Sequence, residues 1–383
     1  LELDLPAEGV RIVGPNGSGK TTIIESILLL STTKSRRGAQ DADLVQHGAG
    51  VELGVAPYGR VVGHIDRSGV AARIEVFVEQ DTQNGLARKV IKVGDRPRRA
   101  AEVVGLLPTV SFSPEDLELT IGSPAVRRRF LDVVLSQTDR QYLRFLSRYN
   151  RVLSQRNGLL RRTGQGRRVD RSEFDYWDEQ VVGLGSQLIA ARARAIALIS
   201  EHVTQTFSGM APGAGELAVA YLPSLSQPEG WWETLRDTDD QVDAVRQVSL
   251  AYEQQLRRSF EQDLSRSVTT LGPHRDDLQF LIDDREIARF GSRGQQRVAV
   301  VALKLAEMEV IWRSVGVRPV FLLDDVLSEL DPEHRERLIQ AARSSGSQLI
   351  VTATDRELLK STVLEALAET IIVRPGVVET TAT

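Results

Sequence analysis

Apolar positions follow two different periods along the chain, and the change of period divides it. Val51–Val55, Val61–Ile65, Arg73–Glu79 and Lys89–Val93 are short β-branched runs separated by turn formers such as Asp81-Thr82-Gln83-Asn84-Gly85. They predict an antiparallel sheet with hairpins. From about Pro124 apolar residues recur at helical spacing (Phe130, Leu131, Val134, Leu135), and glycine is sparse up to Gly158. A second long helix is predicted from Arg171 to about Thr206 on the stripe Val181, Leu184, Leu188, Ile189, Ala193 and Ile196. A third helical stretch runs from about Asp239 to Ser267, with a strand at Leu217–Leu222 between the two. Strand texture returns at Gly272, followed by a helix over Gly294–Trp312 and an apolar strand at Val320–Leu323.

This order predicts an α/β fold interrupted by a helical arm: a head of residues 1–120 and 272–383, and an arm of residues 121–271. Two independent domains in series are the alternative. The insertion is preferred because the motifs below need both ends of the chain together.

Composition narrows the classes. With 383 residues, 41% hydrophobic and 26% charged, the chain has an ordinary globular balance and length enough for two domains. No uninterrupted apolar run approaches the roughly 18 residues of a membrane span, so no membrane-embedded protein is expected; nothing suggests secretion, and a cytoplasmic location is the expectation. The absence of cysteine excludes disulfides, thiolate zinc sites and cysteine nucleophiles. The chain starts at Leu1 inside an alternating segment, which predicts further residues, with a strand, ahead of it.

A net charge of -4 excludes coating of nucleic acid by bulk charge. Locally the balance reverses. Residues 127–171 hold thirteen arginines against three acids, a local charge of +10. Such clustering neutralises phosphates, although any single arginine is better read as a solvated surface residue. Candidate DNA contacts are Arg127, Arg128, Arg161 and Arg162, with Arg36 and Arg37 on the sheet lobe. Lys34, Lys89, Lys92, Arg96, Arg98 and Arg99 add to that second surface. Arg161-Arg162 and Arg167-Arg168 flank the expected arm tip, which suits DNA or a protein partner equally. No aromatic interleaving supports base stacking, so backbone binding without sequence readout is expected.

The sharpest motif is near the start. Val10–Val13 reads as a buried strand running into Gly14-Pro15-Asn16-Gly17-Ser18-Gly19-Lys20-Thr21, then an apolar helix from Thr22 to Leu30. This is a complete G-x-x-x-x-G-K-[ST] loop in its strand–loop–helix setting. The glycines let backbone amides cradle phosphates at a helix N-terminus. Lys20 is placed to reach the β- and γ-phosphates of ATP, and the Thr21 hydroxyl to ligate Mg²⁺. A chance glycine-rich turn is the competing reading, and it leaves the flanking strand and helix unexplained.

A second apolar strand ends in Asp324-Asp325, which places carboxylates at the edge where open α/β sheets bind ligands. Asp324 is expected to hold Mg²⁺ and Asp325 to orient the attacking water; with Lys20 these are the catalytic candidates. A pair of helix caps is the bland alternative. About thirty residues upstream, Ser292-Arg293-Gly294-Gln295 opens a long helix. Alone it is a weak signal, since serine commonly caps helices.

With Leu322-Leu323-Asp324-Asp325-Val326-Leu327-Ser328-Glu329-Leu330-Asp331, these elements resemble the ABC-type ATPase heads. More selective runs are Ser113-Pro114-Glu115-Asp116-Leu117, Gly122-Ser123-Pro124, Arg127-Arg128-Arg129-Phe130-Leu131-Asp132, Tyr149-Asn150, Trp177-Asp178 and Gly272-Pro273-His274-Arg275-Asp276-Asp277. Through them nearly the whole chain resembles, in order, the RecF family in the SMC-like DNA-repair branch. That resemblance implies an ABC-type head, a P-loop core with an antiparallel sheet lobe, carrying an inserted helical arm. It implies an ATP-dependent homodimer in which ATP on Gly14 to Thr22 of one copy is covered by Ser292 and Gly294 of the other, with Gln295 and Asp331 further ATP-binding candidates. It further implies binding to gapped or junction DNA, loading of recombinase with RecO- and RecR-like partners, and a part in DNA repair, replication and the SOS response. A weak, DNA-stimulated ATPase would act as the release switch.

Two departures bear on the rate. Asp325 stands where an ordinary ABC head has glutamate, and Gln348-Leu349-Ile350-Val351-Thr352-Ala353-Thr354-Asp355 lacks the usual histidine. Thr354 or Asp355 is the candidate substitute, and Ser113–Glu115 the candidate for the glutamine loop. A transporter subunit is disfavoured, because Lys20 and Ser292 are 272 positions apart. The head of another SMC-like repair ATPase and a nucleotide-binding scaffold stay as alternatives.

Overall fold

The computed structural model describes residues 1–35, 41–46, 56–67, 69–81, 87–164, 170–226, 231–232, 240–359, 364, 367, 369–374 and 376–382. The expected strand at Val51–Val55, and Arg36, Arg37, Arg167 and Arg168, lie outside the described residues. The chain divides into two compact units, residues 1–117 with 300–383, and residues 118–299.

The first unit opens with β1 (Gly9–Val13). A four-stranded antiparallel sheet follows in the order β2 (Tyr58–Arg67), β3 (Val70–Gln80), β4 (Ala87–Val93) and β5 (Arg96–Arg98). The remaining strands are β6 (Thr109–Phe112) and, after three strands that belong to the second unit, β10 (Val320–Asp324), β11 (Leu349–Ala353), β12 (Glu369–Arg374) and β13 (Val377–Ala382). They join β1 in a six-stranded sheet of order β13-β12-β1-β11-β10-β6. All of its pairings are parallel except that of β12 with β13. Residues of β1, β10 and β11 are buried throughout, which is why these strands read as continuous apolar runs rather than alternations.

Helix α1 (Lys20–Thr32) presents Ile23, Ile24 and Leu28 to Val10, Ile12, Leu322 and Ile350 of this sheet. Its Leu29 and Leu30 join Ile74, Val76, Val78 and Ile91 of the antiparallel sheet. One helix thus supplies two cores. At Gly9 the backbone has φ +113°, and a Cβ there would fall 1.9 Å from the Leu349 carbonyl oxygen. Only glycine lets β1 start against β11. The alternating Leu1–Leu5 forms no strand; Leu3 and Leu5 instead rest on the parallel-sheet core.

The second unit contains α2 (Pro124–Thr138), α3 (Arg140–Gly164), the 39-residue α4 (Ser172–Met210) and α5 (Gln241–Arg258). The third helical stretch breaks at Ser259, after which a short helix covers Phe260–Arg266. Helix α4 is long and apolar enough to cross a bilayer, a property that the run count overlooked because polar residues punctuate it. However, 67% of its most apolar stretch is buried inside the protein, as a core helix requires. Strands β7 (Leu217–Leu222), β8 (Asp277–Ile282) and β9 (Arg285–Glu286) form an antiparallel sheet. That pairing sets residues 277–286 beside β7 in the second unit, which runs to residue 299, whereas the sequence assigns residues from 272 onward to the head. Helix α6 (Arg293–Val315) spans the division at residue 300, and α7 (Pro332–Ser344) follows β10.

Candidate functional site

β1, β10 and β11 run in the same direction, so their carboxyl ends meet at one edge of the sheet. The loop from Gly14 to Gly19 leaves β1 at that edge. Its turn uses Gly17 at φ +76° and Gly19 at φ +106°, and a Cβ on either would project into open space. No side chain caps the first turn of α1, and no acid lies in it. Pro15, Asn16, Gly17 and Thr22 are exposed. The Ser18 hydroxyl is buried in the protein yet bonds to no protein group.

Lys20 is only 3% exposed. Its ammonium donates to the Gly14 carbonyl at 2.8 Å and the Pro15 carbonyl at 3.2 Å, and lies 3.5 Å from the Asp325 carboxylate. The Thr21 hydroxyl donates to Asp324 Oδ1 at 3.3 Å. These contacts bring together residues 303 positions apart in the chain.

Register places Thr352 of β11 beside Asp324 of β10. The Thr352 hydroxyl donates to Asp324 Oδ1 at 2.9 Å and accepts the Asp325 backbone N–H at 2.9 Å. Asp325 occupies the left-handed region at φ 53°, unusual for a residue with a side chain. One buried hydroxyl therefore holds both carboxylate residues. Thr354 and Asp355, the residues expected to substitute for the histidine of ordinary ABC heads, lie just beyond β11. Both are exposed, and the Asp355 carboxylate accepts the Glu357 N–H as a turn cap. The overlooked signal was a polar residue inside the otherwise apolar run Leu349–Ala353.

Ser113, just beyond β6, is buried; its N–H donates to the Asp116 carboxylate at 2.8 Å, and its hydroxyl has no protein partner. Asp331 caps α7, accepting from the N–H groups of Glu333 and His334 at 3.1 Å each. The His334 N–H foremost holds the Asp331 carboxyl below the ordinary range. Ser292 and Gln295 form a reciprocal capping box at α6. The Gln295 N–H donates to the Ser292 hydroxyl at 3.2 Å, and the Ser292 N–H to the Gln295 side chain at 2.9 Å. Ser292, Arg293 and Gly294 are exposed.

The group donors suit a nucleoside triphosphate with a hard cation. An uncapped helix start, an unpartnered buried hydroxyl at Ser18 and glycines facing open space accommodate phosphate oxygens. Thr21 and Asp324 offer the oxygen ligands that Mg²⁺ prefers.

The charged runs divide differently from expectation. Arg127 is spent inside the second unit: it forms a two-pronged pair with Asp277 at 2.6 and 2.9 Å and donates to the Gly122 carbonyl at 2.7 Å. Arg128 donates to the Asp276 carbonyl at 2.7 Å. Both, expected as DNA contacts, are bonded within the second unit, Arg127 to a carboxylate and a carbonyl and Arg128 to a carbonyl. Lys89, expected on the sheet-lobe surface, donates to the Thr33 carbonyl at 2.9 Å and is equally committed. Arg161 and Arg162 are exposed.

The selective motifs beyond Ser113–Leu117 contribute to the interior of the second unit. Arg192 pairs with Asp132 at 2.7 Å and Asp276 at 3.2 Å. Arg156 pairs with Asp178 and Asp263 at 2.7 Å each. His274 bonds through Nδ1 to the Tyr149 hydroxyl at 2.7 Å and through Nε2 to the Thr269 carbonyl at 3.0 Å. Burial pushes the imidazole down to about 4 and raises the Asp276 carboxyl. These residues tie the helices together; none is a solvent-facing turn.

The RecF/RecN/SMC N-terminal domain family is matched over residues 2–379. The chain is 43% identical over 368 residues to the DNA replication and repair protein RecF of Thermomicrobium roseum, covering 96% of this chain and 93% of that protein. It is 39% identical over 364 residues to the same-named protein of Chloroflexus aurantiacus, covering 93% and 90%. The solved structure of the recombination mediator protein RecF–ATP in the RecFOR pathway superposes with a TM-score of 0.82 at 29% identity, covering 100% of this chain and 93% of that one. An Smc head bound to the C-winged helix domain of ScpA shares the fold, with a TM-score of 0.52 at 15% identity and coverage of 100% and 92%.

Proposed function

The chain belongs to the RecF family, and from that premise we propose that it is an ATP-gated DNA-binding repair protein whose two copies close on the nucleotide. Lys20 and the Gly14–Thr22 loop bind the triphosphate of one copy. Ser292, Gly294, Gln295 and Asp331 of a second copy cover it. The closed pair holds gapped or junction DNA and, with RecO- and RecR-like partners, helps load recombinase. Hydrolysis opens it.

One observation carries this reading: Thr352 locks Asp324 beside Thr21 while Lys20 reaches Asp325. Loop, cation site and water-orienting carboxylate are thereby assembled from three strands before any ligand adds contacts. Phosphoryl transfer needs little beyond such positioning and charge compensation. Mg²⁺, when bound, neutralises charge on the β- and γ-phosphates, and Thr21 and Asp324 are the residues to hold it. Lys20 orients the γ-phosphate. Asp325 is one methylene shorter than glutamate and is tied by its own backbone to Thr352, so it reaches less far toward an attacking water. That geometry supports slow turnover, a timer rather than a motor.

Lys20→Met tests the proposal. The parent should pair in size-exclusion chromatography with a non-hydrolysable ATP analogue and retain gapped DNA more tightly with it. The variant should do neither. A parent that stays single at saturating analogue, or DNA retention indifferent to ATP, would make the protein a scaffold rather than a switch.

A further inference from the structure

Helix α3 (Arg140–Gly164) carries seven arginines and no acidic residue. Its inner face is Tyr142, Tyr149, Arg156, Leu159 and Leu160, all buried. At 3.6 residues per turn, Arg140, Arg144, Arg148, Arg151 and Arg162 fall within about 80° of arc on the opposite side. All five are exposed. Among the described residues none of their side chains has an ion-pair or hydrogen-bond partner, whereas Arg156 on the same helix is gripped by two aspartates. The fold pairs the arginines that it uses structurally and leaves this row alone.

Such a row is unfavourable by itself. Like charges one helical turn apart repel by a few tenths of a kcal/mol per pair, on the order of 0.2–0.5. Surface helices ordinarily relieve this with glutamate at the same spacing, which α3 lacks. The stripe also contains no exposed large apolar residue of the kind that anchors protein–protein contacts. Its other exposed positions, Gln141, Ser147, Ser154 and Gln155, are hydrogen-bonding groups, and no aromatic among them offers a stacking platform for single-stranded bases. From Arg140 to Arg162 the stripe spans about 33 Å, close to one turn of duplex DNA.

We infer that this face of α3 lies along the backbone of duplex DNA and that its five arginines bond to phosphates over about one helical turn. The inference rests on the reading of the protein as DNA-binding and names the surface responsible. Contacts of this kind give affinity without sequence preference, and log K falls with log salt by about 0.9 per phosphate neutralised.

The test uses the full chain with Arg144, Arg148 and Arg151 all replaced by glutamine, and a second variant with all three replaced by lysine. Binding to a fluorescent 30-base-pair duplex is followed by anisotropy between 50 and 200 mM salt, with ATP-dependent pairing measured in parallel. The glutamine variant should lose about 2.7 from the salt slope and at least tenfold in affinity, with pairing intact; the lysine variant should keep the parental slope. A parental slope in the glutamine variant overturns the inference and leaves the DNA-binding reading standing. Unchanged duplex binding with loss of pairing assigns the stripe to a protein contact and overturns it too. A parent with no duplex affinity defeats the DNA-binding reading itself, and this surface with it.

Discussion

Replacing Thr352 with valine removes one hydroxyl and little else. Thr352 is fully buried, and valine keeps its shape. The change deletes the bond to Asp324 Oδ1 and the bond from the Asp325 N–H, each 2.9 Å long. A hydrogen bond to a charged carboxylate contributes about 1.5–3 kcal/mol, and an N–H left without a partner costs about 1–3 kcal/mol. Asp324 retains Thr21 as a weaker donor at 3.3 Å. The positive φ of Asp325 adds strain that the lost N–H bond no longer restrains. A loss of about 3 kcal/mol in the stability of the first unit follows, the lower part of that sum. Activity should suffer more than stability, because displacing a reacting group by about 1 Å can reduce a rate on the order of 100-fold. Denaturant unfolding and Mg²⁺-dependent phosphate release measure the two effects. Thr352→Ser, which keeps the hydroxyl, should recover most of the turnover. A valine variant within 0.5 kcal/mol and twofold of the parent would refute the role given to this hydroxyl.

His274 is buried neutral, with its folded value near 4 against an ordinary 6.5. The unfolded chain therefore binds the extra proton first, so stability is complete above pH 6.5 and declines as pH falls toward 4, by about 3 kcal/mol in total. Burial dominates, repulsion from Arg275 and Arg128 adds to it, and Thr269 and Asp263 oppose it. Chemical denaturation of His274→Gln across that range should show a flatter dependence. Asp276→Ala takes one of its two carboxylate partners from the buried guanidinium of Arg192 and removes acceptors used by Tyr221 and Ser224. The second unit should lose about 3–5 kcal/mol, seen as an early thermal transition, while nucleotide binding by the first unit is kept.

The motifs differed in how much of their role was legible. The loop from Gly14 to Thr21 could be read as a phosphate cradle because its chemistry is local: glycines, lysine and hydroxyl act through consecutive backbone atoms. The runs around Arg127, Asp178 and His274 identified the family without revealing what their side chains touch. Their residues look like surface charge in one dimension, and only packing shows that Arg127, Arg156 and Arg192 are matched to carboxylates. Conversely, the arginines of α3 were counted but not separated, since the sequence gives the charge total of residues 127–171 and not which members already have partners.

By itself the sequence determined the strand–loop–helix phosphate site, the acidic strand, the apolar helices and the excess of arginine, because these follow from backbone preference and periodicity over a few residues. Only the tertiary structure decided that Thr352 organises Asp324 and Asp325, that β8 pairs with β7, and which arginines face solvent. Each of these depends on sheet register or burial between segments far apart in the chain. The energy of a buried ion pair or hydroxyl bond belongs to both partners at once, and no local pattern encodes the second partner.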